Sequence, residues 1–168
     1  MPEQSLVIEG LKLDYEGPFS AAELYKLIDE WLRERAYDKV EKASTEYVRP
    51  EGKYVELWLE PDKIVNDYVK YMIRLRLTMS ALKEIEFERA PGRRERINSG
   101  KLSLVFDGIL VTDWQAKWER RPFLFFLRVA ADKFLYKMYT GRYEAAIKKD
   151  VADLHLAIKT FLNLFRPR

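Results

Sequence analysis

Five cations gather in a short stretch of this chain. Arg89, Arg93, Arg94, Arg96 and Lys101 fall within one predicted hairpin, and Glu95 is the only acid between the first and last of them. A second group, Lys117, Arg120 and Arg121, stands beside Trp114 and Trp118. Cations next to aromatic rings suit single-stranded nucleic acid, because phosphates meet Arg and Lys while bases stack on rings. These eight cations are the candidate contacts for RNA, DNA or a nucleoprotein assembly. An aromatic RNP-type motif is missing from the sequence.

Other chemistry lacks its parts. His155 is the only histidine and cysteine is absent, which removes His-rich and Cys-ligated metal sites, disulfides and thiol nucleophiles. His155 lies in an amphipathic pattern with Val151, Leu154 and Ile158 and reads as a structural residue. There is no nucleophile elbow, P-loop or GxGxxG, and with 7 glycines a phosphate-cradling loop is not expected. Asp107, Asp113 and Glu119 could bind Mg²⁺ or exchange protons, but they read better as turn and cap residues. The expectation is a non-enzymatic protein with no cofactor.

A chain of 168 residues that is 48% hydrophobic and 34% charged fits one globular domain spanning 1–168. Its charge is uneven. Residues 1–60 hold 8 Lys and Arg against 14 Asp and Glu, whereas 61–168 hold 22 against 13. Such asymmetry either hints at an anionic partner or is neutralised across the fold. The start, MPEQSLVIEG, has neither the basic nor the apolar region of a signal peptide, so a cytoplasmic protein is expected. No apolar window is long enough to span a membrane.

Alternation predicts a strand over 5–15, with a bulge at Gly10. Ser20 and Glu23 form a capping box, and Leu24, Leu27, Ile28 and Trp31 continue it as an amphipathic helix over 21–36. Strands are expected at 39–49, 54–60, 68–79, 83–88, 93–97 and 102–111, with a bulge at Gly108. Turns are expected at 50–52, at Pro91-Gly92 and at 98–100. A hairpin centred on Ser80 would set Arg76 opposite Glu84 and Arg74 opposite Glu86, a ladder of charges on a solvated sheet face. A nearly all-apolar helix follows from Pro122 to about Gly141. Ile147, Val151, Leu154, Ile158, Phe161 and Phe165 then mark a last helix over 143–164.

Strands followed by helices indicate an α+β fold in the order β-α-β-β-β-β-β-α-α. The expected form is a curved antiparallel sheet of about six strands against one N-terminal and two C-terminal helices, a helix-grip-like arrangement. That arrangement also allows a carrier of a small apolar ligand, or a homo-oligomer joined through the C-terminal helices. Three stretches, ELYKLIDEWL at 23–32, RRPFLFFLRVAADKFLYK at 120–137 and DVADLHLAIKTFLNLFR at 150–166, together resemble a family of small uncharacterised archaeal proteins. The resemblance implies an archaeal, cytoplasmic origin and carries no activity or site residue with it.

Overall fold

The computed structural model describes residues 2–115, 130 and 136–166. Its strands are β1 (Glu3–Phe19), β2 (Glu41–Arg49), β3 (Gly52–Leu59), β4 (Asp62–Ile64), β5 (Val69–Ala90) and β6 (Arg93–Thr112). Helix α1 (Ala21–Glu34) follows β1, and helix α2 (Tyr136–Asn163) follows the sheet. The fold is α+β, as the order of elements predicts. All pairings are antiparallel, in the order β1-β6-β5-β3-β2, with β4 added on β5. Of the two expected C-terminal helices, the first falls mostly outside the described residues. Gly141 does not end it but lies inside α2.

Helix α1 begins as its sequence demands. The Ser20 hydroxyl accepts from the Glu23 N–H at 3.3 Å, and Asn98 on β6 accepts from the Ala21 N–H at 3.2 Å. The helix ends in a Schellman motif: Tyr37 N–H donates to Leu32 O and Ala36 N–H to Arg33 O, with Ala36 left-handed at φ 59°. Leu24, Ile28, Trp31 and Leu32 are buried.

The hairpin expected at Ser80 does not form. Thr78 to Leu82 holds no Gly, Pro or Asn to close a turn, and β5 runs on for 22 residues. Its extra residue is absorbed as a bulge at Ala81 and Leu82, opposite Gly100 alone, with Ala81 at φ 51°. Residues 98–100 are accordingly part of β6 rather than a turn. The true reversal is at Pro91-Gly92, where Gly92 has φ 77°, as a type II turn requires. The charge ladder changes with it. Arg74 stands opposite Asp107 and Arg76 opposite Val105, while Glu84 faces Asn98 and Glu86 faces Arg96.

Two glycines make the bulge possible. A Cβ on Gly52 would lie 2.7 Å from the Ala81 carbonyl carbon, and one on Gly100 would lie 2.8 Å from Ser80 O. Gly108 has a different task from the bulge expected there. The irregularities fall in β1, between Leu6 and Leu11, and a Cβ on Gly108 would meet Val151 Cγ2 at 3.1 Å. Its missing side chain lets α2 approach the sheet. There Ile147, Val151, Leu154, Ile158, Leu162 and Phe165 are buried. Leu162 replaces the expected Phe161, because a helix lying on a sheet keeps its 3.6-residue period and drifts off a heptad. The stripe is taken up inside the chain.

Arg35, Tyr37, Asp150 and Asp153 join the two helices. The Tyr37 hydroxyl donates to Asp150 at 2.6 Å, and Arg35 reaches Asp150 at 3.4 Å and Asp153 at 3.2 Å. Burial, and then this bond to a carboxylate, hold the Tyr37 phenol far above its ordinary value.

The glycines separate by environment. Gly52→Ala is expected to cost at least about 2 kcal/mol, from a backbone clash and a positive φ. Gly141→Ala, in an open stretch of helix, should gain about 0.5–1 kcal/mol. Urea denaturation of the two variants checks both values.

Candidate nucleic-acid interface

The cations predicted as one basic hairpin do not act alike. Arg89 is already engaged. Its guanidinium donates to both carboxylate oxygens of Glu23, at 2.8 and 2.7 Å, reaches Glu95 at 3.3 Å, and lies 5.2 Å from the centre of the Phe165 ring. It fastens the hairpin arm to the start of α1 and the end of α2. The Glu23 carboxylate therefore does not complete a capping box. Arg93 is exposed and 3.6 Å from Glu95. Arg94 and Arg96 are exposed and stand opposite Glu88 and Glu86 on β5. Glu95 is thus not the only acid near the arm, because pairing with β5 adds three that lie outside the 89–101 window.

Lys101 is exposed but sits away from the arm, between Ser80 and Glu16 in the body of the sheet. Lys117, Arg120 and Arg121, with Trp118 and Glu119, lie outside the described residues. The indole N–H of Trp114 donates to the Asn66 carbonyl at 2.9 Å, and the ring is half-buried. His155 lies with Nε2 3.3 Å from the Lys12 carbonyl and its ring 5.5 Å from that of Phe106, so it packs α2 onto the sheet. Asp107 accepts from the Gly10 N–H at 2.7 Å and braces the β1 bulge. Asp113 is buried at the end of β6, with its N–H donating to the Tyr68 carbonyl. Among the described residues no three acids or histidines gather as a metal site, and no helix is long and apolar enough to cross a membrane.

The arrangement closest to the expected chemistry lies elsewhere, on the sheet face turned away from α2. The Tyr47 and Tyr54 rings stack 4.7 Å apart across β2 and β3. Arg49 lies over both, at 4.7 and 4.8 Å, and donates to the Tyr47 hydroxyl at 2.7 Å. Two rows further along the face, beyond Glu56, Arg76 lies 5.2 Å over Trp58, which stays 37% exposed. Family models, curated proteins and solved structures were all compared with the chain, and none matches. What this surface can bind follows from its own side chains.

The face is not strongly basic. Arg74 is tied to Glu60 at 3.1 Å and to Asp107 at 3.8 Å, and Lys70 to Asp62 at 2.6 Å. The expected solvated charge ladder is therefore present with other partners. The Tyr54 hydroxyl donates to Glu56 at 2.7 Å, and that bond raises the phenol above its ordinary value. Beside the rings, a groove of about 500 Å³ opens between Asp14, Glu16, Thr78, Ser80, Lys101 and Ser103.

The cations over rings on β2, β3 and β5 were not singled out from the sequence, though a signal existed. Closure of the hairpin at Arg49 and Gly52 sets 47 opposite 54, and alternation along 54–60 puts Tyr54, Glu56 and Trp58 on one side.

Acid should loosen the arm. The bond from Arg89 holds the Glu23 carboxyl below its ordinary value. Its stabilising contribution is complete above the ordinary carboxylate range and is lost as pH falls through the lowered value. The stabilities of wild type and Glu23→Gln, measured by urea denaturation from neutral to strongly acid pH, should differ at neutrality and converge in acid. Parallel curves would leave Arg89 with only its contact to Phe165.

Proposed function

We propose that the chain is a non-enzymatic binding protein that takes single-stranded nucleic acid across the open part of its sheet face, with the hairpin arm beside it. The observation that carries this reading is the pair of cation-on-ring units, Arg49 on Tyr47 and Tyr54, and Arg76 on Trp58, exposed on neighbouring strands. A ring offers stacking to any base, worth about 1–3 kcal/mol each, and the guanidinium beside it meets the phosphate. Arg93, Arg94 and Arg96 add exposed charge on the arm, and Lys101 adds it on the sheet.

This reading divides the work. Stacking supplies most of the affinity, and the arm supplies its salt dependence. Titration with single-stranded and duplex RNA and DNA at about 50 and 200 mM salt is the test. Single strands should bind more tightly than duplex, and more weakly at the higher salt. Trp58→Ala should cost roughly tenfold or more in affinity. Reversing Arg93, Arg94 and Arg96 to Glu should remove most of the salt dependence, flattening the slope by about 2. Absence of binding at the lower salt would end the proposal. Unchanged binding in the triple variant would remove the arm from it.

A further inference from the structure

The groove beside the rings differs from them in chemistry. Two cross-strand rows build it. One runs Ser80, Lys101, Glu16; the other runs Thr78, Ser103, Asp14 and continues onto β3 at Glu56. The next row along the same face is Trp58, Arg76, Val105 and Lys12. Rows on one face are two residues apart, about 7 Å.

Thr78, Ser80 and Ser103 are half-buried, whereas Asp14, Glu16 and Lys101 are exposed. Among the described residues none of these six side chains is tied to a side-chain partner. Arg74, Glu60 and Asp107 on the same face, by contrast, are locked to one another. Two acids against one cation make the groove a poor place for a phosphate. Carboxylates and hydroxyls with free lone pairs accept hydrogen bonds instead, so the groove suits a ligand that brings O–H donors. A base and its sugar are directly bonded, and the row nearest Trp58 and Arg76 meets them at Thr78, so a base stacked on Trp58 brings its sugar within reach of the Thr78 end of this row.

We infer that the groove formed by Thr78, Ser103, Ser80, Asp14 and Glu16 reads the ribose 2′-hydroxyl, so that the single strand bound is RNA rather than DNA. The inference rests on the stacking reading given above. Deoxyribose brings no donor to this position, and the 2′-hydroxyl is the group by which a protein separates the two polymers.

The experiment compares one short oligouridine in three backbones, ribo, 2′-deoxy and 2′-O-methyl, by fluorescence anisotropy on the unaltered chain at about 50 mM salt. The ribo form should bind about tenfold more tightly than either of the others, the worth of one hydrogen bond. In Thr78→Val/Ser103→Ala the gap should narrow. If that variant loses its fold, the three backbones on the unaltered protein decide alone. Equal binding of ribo and deoxy forms would overturn the groove's role and leave the stacking platform standing. Binding of the 2′-O-methyl form as tight as the ribo form would overturn donation by the 2′-hydroxyl. Failure of all three to bind would overturn the platform, and the groove with it.

Discussion

The fold depends on a backbone wedge. Ala81 is held in a left-handed conformation between Gly52 on β3 and Gly100 on β6, where neither neighbour has room for a Cβ. An unbroken alternating strand of 22 residues would project straight past the helices, since ordinary strands are about 5–6 residues long. The bulge bends β5 and tightens its twist without giving up its partners. Before it, Ile73, Leu75, Leu77 and Met79 belong to the main core. After it, Phe87 meets Phe165 at the end of α2, with ring centres 5.8 Å apart. One strand thus serves the middle of the sheet and the tip of the last helix. The Arg89 clasp on Glu23 is within reach only because the arm has been turned there.

Contact between helix and sheet is equally demanding. Gly108 brings α2 so near that Val151 would touch an added methyl at 3.1 Å. Around that point Leu104, Phe106, Ile147, Leu154 and Ile158 have no exposed surface. Each fully buried side chain of this size contributes about 1.5–3 kcal/mol, so close approach is worth more than any single polar bond in the molecule. The Arg35, Tyr37 and Asp150 network adds direction to this contact. It fixes how α1 lies beside α2, which apolar packing alone leaves loosely specified.

Local signals in the sequence were faithful where a rule is local. The Ser20 cap, the turn at Pro91-Gly92 and the inward set of β5 from Val69 to Met79 all appear as expected. The failures share a cause. A turn at Ser80 is expected because it would bring the apolar sides of 68–79 and 83–88 together, yet one strand bulged between the two runs serves them equally well, and only the glycines on strands far away in sequence tell the two apart. A bulge is expected at Gly108 because a glycine interrupts a strand there, when its meaning lies in a helix some forty residues later. The arm looks basic in sequence because Glu84, Glu86 and Glu88 precede its cations in the chain, and Glu23 lies on α1, 66 residues before Arg89. Charge counted along a chain is not charge counted in space.

That distinction shapes how such a surface can recognise anything. The acidic residues 1–60 and the basic remainder meet in pairs: Arg89 with Glu23, and Arg74 with Glu60. These pairs take up part of the charge on both sides, and exposed ion pairs of this kind are themselves worth no more than about 1 kcal/mol. The sheet face can add recognition at short range, through rings and hydroxyls that stay accessible. On the described surface those groups are Trp58 under Arg76, the Tyr47 and Tyr54 stack, and the hydroxyls beside Asp14 and Glu16. Rings and hydroxyls distinguish ligands by shape and by hydrogen donors, which a field of lysines cannot do. A nearly neutral sheet face with uncovered aromatics is therefore better suited to selecting a partner than to gathering one from a distance.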